Sequence, residues 1–383
     1  MPTPFKIDVP QAILDSIRRK VRDYEWHEMP RGEGLDGTWA YGANLDFMRA
    51  LCAYWVEGYD WRKWEAALNR FPQFVATVDG LDIHFLRENG SGASPRPLIL
   101  SHGWPGSVFE FLHIVEKLAH PERFGGDEKD GFTVIVPSLP GYGWSGKPQR
   151  PIGPRSTARY FDSLMTNVLG LPNYIAQGGD WGSSISGWMG YDGAKCRAVH
   201  LNMFGWRSPG VHPESKEEKE YAARAGMLFE MEGAYFREQT TKPQTLSYAM
   251  MDSPVGACAW IVEKFHGWSD TRRGFEAIYT KDQLLTNVMI YLVTRTFNTA
   301  TWMYRGLAED FSGTPVPAGA RIEKPVGIAA FPVDLIPFPP RSLVERHVNV
   351  THWTDFSEGG HFAALERPDD LVGDIRVFAR GLK

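Results

Sequence analysis

Apolar residues at the start of the chain recur at helical spacing. Ile13, Ile17 and Val21 fall on one face of Gln11 to Tyr24, and Phe47, Leu51 and Trp55 on one face of Leu45 to Tyr59. Asp60-Trp61-Arg62-Lys63-Trp64-Glu65 opens a third helix that ends near Arg70-Phe71-Pro72. Phe74 to Val78 and Leu81 to Arg87 flank Asp79-Gly80, a residue pair that favours a tight hairpin turn. After the polar stretch Asn89 to Pro97, Leu98-Ile99-Leu100-Ser101 reads as a short buried strand. A helix through Phe111, Val115 and Leu118 follows, then a strand at Phe132 to Pro137 and a helix from about Ser156 to Leu169. Next come a strand at Tyr174 to Gln177, another helix, and a strand at Ala198 to Met203. Strands alternating with helices predict a parallel sheet with right-handed crossovers.

The pattern changes after Met203. From about Ser208 to Tyr304 helical segments follow one another with almost no strand, and Lys216-Glu217-Glu218-Lys219-Glu220 marks an exposed helix start. Sheet signal returns at Val326 to Phe331 and at Val348 to Trp353, ahead of a closing helix at Asp369 to Phe378. The expected fold class is α/β, with a mostly parallel central sheet, a helical cap inserted between core strands, and an N-terminal helical extension. The expected division is residues 1–90 for the extension, 91–205 and 305–383 for the two parts of the core, and 206–304 for the cap.

Composition narrows the function. The 383 residues suffice for one large α/β domain with additions, or for two domains. Hydrophobic content of 43% and charged content of 23% are ordinary for a soluble globular chain. The net charge is -5 and no Lys/Arg cluster occurs, which argues against nucleic acid or an anionic membrane as partner. Cys52, Cys196 and Cys258 are scattered, fit no metal spacing, and point to a reducing, cytoplasmic compartment. No window approaches a membrane span. A homo-oligomer stays open. The 14 tryptophans fit core packing or an apolar pocket lined with indoles.

Candidate chemistry centres on Gly178-Gly179-Asp180-Trp181-Gly182, between the Tyr174 strand and a helix. This is the Gly-x-nucleophile-x-Gly pattern of a strand–turn–helix elbow, with Asp where a serine hydrolase carries Ser. Neighbours without bulk let a strained turn expose the nucleophile, and the Trp181 N–H at the helix start can stabilise an oxyanion. The plain alternative is a Gly-rich turn with Asp as a helix cap. In this architecture an acid and then a histidine follow the nucleophile, each after a late strand. Asp334 and His361 stand at those places, with Asp310 and Asp355 as rival acids. His102-Gly103-Trp104-Pro105 follows an early strand, so the Trp104 N–H is the expected second oxyanion donor. Gly143-Trp144-Ser145-Gly146 lacks a closing glycine and reads as a turn.

These residues resemble the α/β-hydrolase epoxide hydrolases, and within them the microsomal-type branch with its N-terminal epoxide hydrolase extension. The resemblance covers nearly the whole chain. It includes Asp60-Trp61-Arg62, Leu68-Asn69-Arg70-Phe71-Pro72, His102-Gly103-Trp104-Pro105-Gly106-Ser107, the Asp180 elbow, Gly359-Gly360-His361-Phe362, and in the cap Gly233-Ala234-Tyr235 and Thr241-Lys242-Pro243. Similar proteins occur in bacterial natural-product pathways, including those of enediyne antibiotics. The resemblance implies a nucleophile, Asp180, a water-activating pair, His361 and Asp334, and two cap tyrosines, Tyr235 and Tyr304, that protonate the epoxide oxygen. Phenols, with a pKa near 10, keep their proton at neutral pH. Tyr248, Tyr279 and Tyr291 are expected to pack. The implied substrate is a small apolar or aromatic epoxide, with water as co-reactant and no metal or organic cofactor. The chain departs from membrane-bound relatives in lacking an N-terminal anchor, and from others in carrying Asp rather than Glu as the acid. The rival readings are a haloalkane-type dehalogenase, which also uses an Asp nucleophile, and a catalytically dead α/β-hydrolase acting as a ligand receptor.

Overall fold

The computed structural model describes residues 1–34, 37–310 and 315–382. Its centre is a nine-stranded sheet in the order β1-β2-β3-β5-β4-β6-β7-β8-β9. The strands are β1 (Thr3–Phe5), β2 (Gln73–Val78), β3 (Leu81–Glu88), β4 (Arg96–Ser101), β5 (Phe132–Pro137), β6 (Tyr174–Gly178), β7 (Cys196–Leu201), β8 (Ile322–Ala330) and β9 (Val348–Asp355). The first four in spatial order pair antiparallel, and β5 through β9 pair parallel. Central strands β4, β5 and β6 are buried on both faces, which is why they read as unbroken apolar runs.

The Asp79-Gly80 hairpin forms as expected, with both residues at positive φ (46° and 84°), the backbone that a two-residue turn between twisted strands requires. The three N-terminal helices also form, at Gln11–Arg22, Leu45–Glu57 and Trp61–Leu68. Their apolar faces pack partly on each other and partly on the cap helices Pro254–Trp268 and Lys281–Thr294. Polar contacts tie the same surfaces together. Tyr54 donates to Asp282 at 2.7 Å, and the hydroxyls of Tyr59 and Thr286 lie 3.0 Å apart.

Several details differ from the sequence expectation. β1 was not foreseen; three residues at a sheet edge are too few to display a period. The expected helix through Phe111 is a 3₁₀ turn, Val108–Phe111, followed by a single short helix at Val115–Ala119. Val108, Phe109, Phe111, Leu112, Ile114 and Val115 are all buried, so the segment is covered on most sides and the pattern leaves its pitch undetermined. The helix before β6 starts earlier, at Pro154, and ends at Ser163 in a π turn, Leu164–Val168. β8 starts at Ile322 rather than Val326; its first half carries Glu323, Lys324 and Pro325, and its register shifts there. A helix at Arg341–His347 links β8 to β9. Between β7 and β8 the helical insertion runs from Lys216–Glu232 to Phe297–Glu309, so the helix carrying Tyr304 continues past that residue.

Candidate active site

The C-terminal ends of the parallel strands bring the expected residues to one place. Ser101 ends β4 and the chain turns through His102, Gly103 and Trp104. Gly178 ends β6, and Asp180 opens the helix Asp180–Asp192 with φ at +48°, a left-handed conformation that L-residues rarely adopt. Backbone strain of this kind clusters at functional positions. The elbow needs glycine at its neighbours because of close approach. A Cβ on Gly182 would collide with the Ser101 carbonyl, and one on Gly103 with the Asp180 carboxylate itself.

The Trp104 N–H donates to Asp180 Oδ1 at 2.8 Å. The loop that presents it is braced by His102, whose ring stays neutral: burial lowers its pKa to about 4. His102 Nδ1 donates to the Gly103 carbonyl at 3.0 Å, leaving Nε2 to accept the Leu139 N–H at 3.2 Å. Trp181 follows Asp180 in the first helical turn, and its side chain lines the large pocket.

His361 stands after β9, and its Nε2 lies 3.5 Å from Asp180 Oδ2. Its Nδ1 donates to Asp334 Oδ1 at 2.8 Å, and Asp334 lies past the end of β8. The rival acids are engaged elsewhere. Asp310 accepts from the Gly153 N–H, and Asp355 from the Trp353 indole. Burial works against a charged His361 ring, but the Asp334 charge and the hydrogen bonds to Asp180 and Asp334 outweigh it and hold the imidazolium well above its ordinary range. The loop is pinned by the His361 N–H to the Trp268 carbonyl at 3.0 Å, and by Glu366, whose carboxylate accepts from the Phe362 and Asp270 N–H groups at 2.9 Å each.

The cap closes the other side. Tyr235 begins the helix Ala234–Thr241 and Tyr304 lies in Phe297–Glu309. Their ring centroids are 6.0 Å apart; Tyr235 stacks on Trp104 at 5.4 Å, and Tyr304 meets the Trp181 ring edge-on at 4.8 Å. Burial first, then neighbouring groups including the Asp180 carboxylate, raise both phenols well above 10. Asp180, His361, Asp334, both tyrosines and Trp181 all line one cavity of about 450 Å³, within the usual range for small-molecule sites. Its walls are mostly aromatic, including Trp188, Phe204, Trp206, Phe236 and Phe338. Of the other cap tyrosines, Tyr279 and Tyr291 are buried, whereas Tyr248 is exposed rather than packed. Among the described residues no group of three or more His, Cys, Asp or Glu side chains could hold a metal ion, and no helix is long and apolar enough to cross a membrane.

Sequence reasoning missed several residues here. Asn202, just past β7, and Trp268, whose ring lies 4.9 Å from that of His361, carry no local motif. Glu110 was also missed: it sits in the 3₁₀ turn after the Trp104 loop, in a stretch whose pattern signals only burial. An acidic residue inside that apolar run was the available clue.

Comparison with known proteins identifies the family. The family model for the epoxide hydrolase N terminus matches residues 2–111, and that for the alpha/beta hydrolase fold matches residues 96–251. A Stigmatella aurantiaca protein bearing the epoxide hydrolase name is 37% identical over 391 residues, spanning 100% of this chain and 85% of its own. Epoxide hydrolase 1 of Oryctolagus cuniculus is 33% identical, covering 98% of this chain and 88% of its own. The solved Aspergillus niger epoxide hydrolase superposes with a TM-score of 0.87 at 34% identity, covering 100% of this chain and 97% of that one. The chain belongs to the epoxide hydrolase family of the α/β-hydrolase fold.

Proposed function

We propose that this epoxide hydrolase opens its substrate in two steps, through an alkyl ester on Asp180. Asp180 Oδ1 is anchored by the Trp104 N–H, which leaves Oδ2 to attack an oxirane carbon. The opening oxygen takes a proton from Tyr235 or Tyr304. Esterification removes the Asp180 charge, one of two carboxylates that keep His361 protonated. His361 therefore becomes a base only once the ester exists, and the proton it sheds restores the phenol. With Nδ1 held by Asp334, its Nε2 takes a proton from water, and the resulting hydroxide attacks the ester carbonyl. The Trp104 and Trp181 amides hold the tetrahedral oxyanion until it collapses, the departing alkyl oxygen taking a proton from His361, to a vicinal diol and free Asp180.

The observation that carries this reading is the sharing of one aromatic cavity by the Asp180 carboxylate and two phenols that stay protonated. A dehalogenase has no use for a pair of acids there, since a halide leaves without a proton. The lining favours a small aromatic or apolar epoxide. The proposal extends to a reducing, cytoplasmic setting, supported by three buried free cysteines, and to secondary metabolism, supported by the sequence resemblance.

The test uses styrene oxide, with a bromoalkane in parallel. His361→Gln is expected to gain the mass of one intact epoxide on the peptide containing Asp180 and then stall. Asp180→Asn should gain nothing and form no diol. A His361→Gln protein that never gains mass, or a parent enzyme that turns over only the bromoalkane, would overturn the reading.

A further inference from the structure

A second, smaller cavity adjoins the large one. It shares Asp180, Asn202 and His361 with the large cavity but is reached by neither cap tyrosine. The added polar side chain in its wall is Glu110. The cavity measures about 10 Å³, close to the room one water molecule needs. A water also needs two to four polar partners to be held in a protein interior, and Glu110, His361, Asp180 and Asn202 supply them.

Glu110 is unusual for a carboxylate so close to the reacting groups. The residue is partly covered, and burial is the leading cause that pushes its carboxyl up to about 8, with the Asp180 charge adding to the rise and His361 opposing it. At neutral pH it is therefore largely uncharged, and a neutral carboxyl still offers a carbonyl oxygen as acceptor. Its seat is made by Gly106: a Cβ there would fall inside the Glu110 carboxyl.

We propose that Glu110 is a positioning residue for the hydrolytic water, which it holds in this small cavity between its own carboxyl and His361 Nε2, on a side of Asp180 separate from the epoxide. This rests on the two-step reading above. One water hydrogen goes to His361 Nε2 and the other is held by Glu110, so the oxygen lone pair is aimed at the ester carbonyl carbon of Asp180. The O–H bond to His361 breaks as the new C–O bond forms. The bond between the Asp180 carbonyl carbon and the alkyl oxygen then breaks as the His361 imidazolium gives that proton to the departing oxygen, so the diol leaves neutral, and the hydroxyl proton left on the Asp180 carboxyl passes to His361. Glu110 itself neither gains nor loses a proton. The division explains how one carboxylate can serve two reactions: the epoxide occupies the tyrosine-lined cavity, and the water needs no passage through it.

The test resolves the two steps by rapid quenching with styrene oxide, following the Asp180 ester by mass. Glu110→Met, similar in size but without an acceptor oxygen, should form the ester within about threefold of the parental rate. It should hydrolyse the ester about 100-fold more slowly, the cost of losing a well-aimed reactant. Glu110→Gln keeps a carbonyl oxygen and should restore hydrolysis to within about tenfold of the parent. A general structural role would slow both steps together; that result, or a Glu110→Met enzyme that clears the ester at the parental rate, overturns the proposal. If Glu110→Met does not fold, Gly106→Ala replaces it, because its methyl displaces the carboxyl, and the same two outcomes decide. A crystal structure of the unaltered enzyme is the check that needs no variant: water bonded to both Glu110 and His361 supports the assignment, and its absence there overturns it. Failure of the two-step reading looks different, since the parent would then form no ester on Asp180 at all.

Discussion

Burial and nearby negative charge move Tyr235 and Tyr304 in the same direction, toward the protonated phenol. Their neutral form therefore persists above the pH at which a free tyrosine ionises, and the ring-opening step should show no loss from phenol ionisation up to about pH 10. Tyr235→Phe and Tyr304→Phe should each slow that step, and the double variant should nearly abolish it, since losing a proton donor costs about 10²–10⁴ in rate. Stopped-flow measurement of ester formation checks both statements; a double variant that alkylates at the parental rate would remove the tyrosines from the reaction. Much of the site's membership was legible in residue order. Asp180 between glycines, and Asp334 and His361 each past a late strand, are local patterns, and the structure brings all three into contact. Asn202 and Trp268 were not legible, because nothing in their own neighbourhoods marks them. They belong to the site through the way β7 and the helix ending at Trp268 meet the loops, which is a tertiary fact.

Elements that read as mere additions turn out to bridge the cap and the core sheet. The N-terminal helices rest on the cap helices, while β1, β2 and β3 extend the core sheet, so one segment grips both layers. Leu51 and Trp55 are buried, and truncating a buried Leu to Ala typically costs about 2–5 kcal/mol. Removing residues 1–72 would uncover those partner faces on the cap together with one edge of β2. The shortened chain is expected to be recovered as aggregate; a soluble, fully active product, judged by size exclusion and diol formation, would contradict this. At this scale legibility followed the pattern of burial. Amphipathic helices have one wet face and were read from their period, and the hairpin was read from its Asp79-Gly80 turn. The Val108–Ala119 segment, buried on nearly all sides, gave no period to read, and the charged first half of β8 masked the strand.

At the scale of the whole molecule the proposed reaction draws on two layers that meet at one cavity. The sheet's strand ends carry Trp104, Asp180, Asp334 and His361, and the cap carries the two tyrosines. In the proposed scheme the layers act in turn: the cap with Asp180 in ring opening, the sheet loops alone in ester hydrolysis. The path of oxygen reports whether that order holds. With enzyme in excess over styrene oxide in ¹⁸O-water, water attacks the carbonyl carbon of the ester rather than the substrate carbon. The label should therefore enter the Asp180 carboxylate, and the diol from that first turnover should be unlabelled. On later turnovers a labelled carboxylate oxygen becomes the nucleophile and the label passes into the diol. If water instead struck the epoxide directly, with Asp180 and His361 acting only as a base pair, the first diol would carry the label and the Asp180 peptide would not. Mass spectrometry of diol and peptide from the same quenched sample separates the two. A labelled first diol would move Asp180 out of the nucleophile role and leave its contacts with Trp104 and His361 to orient a water instead.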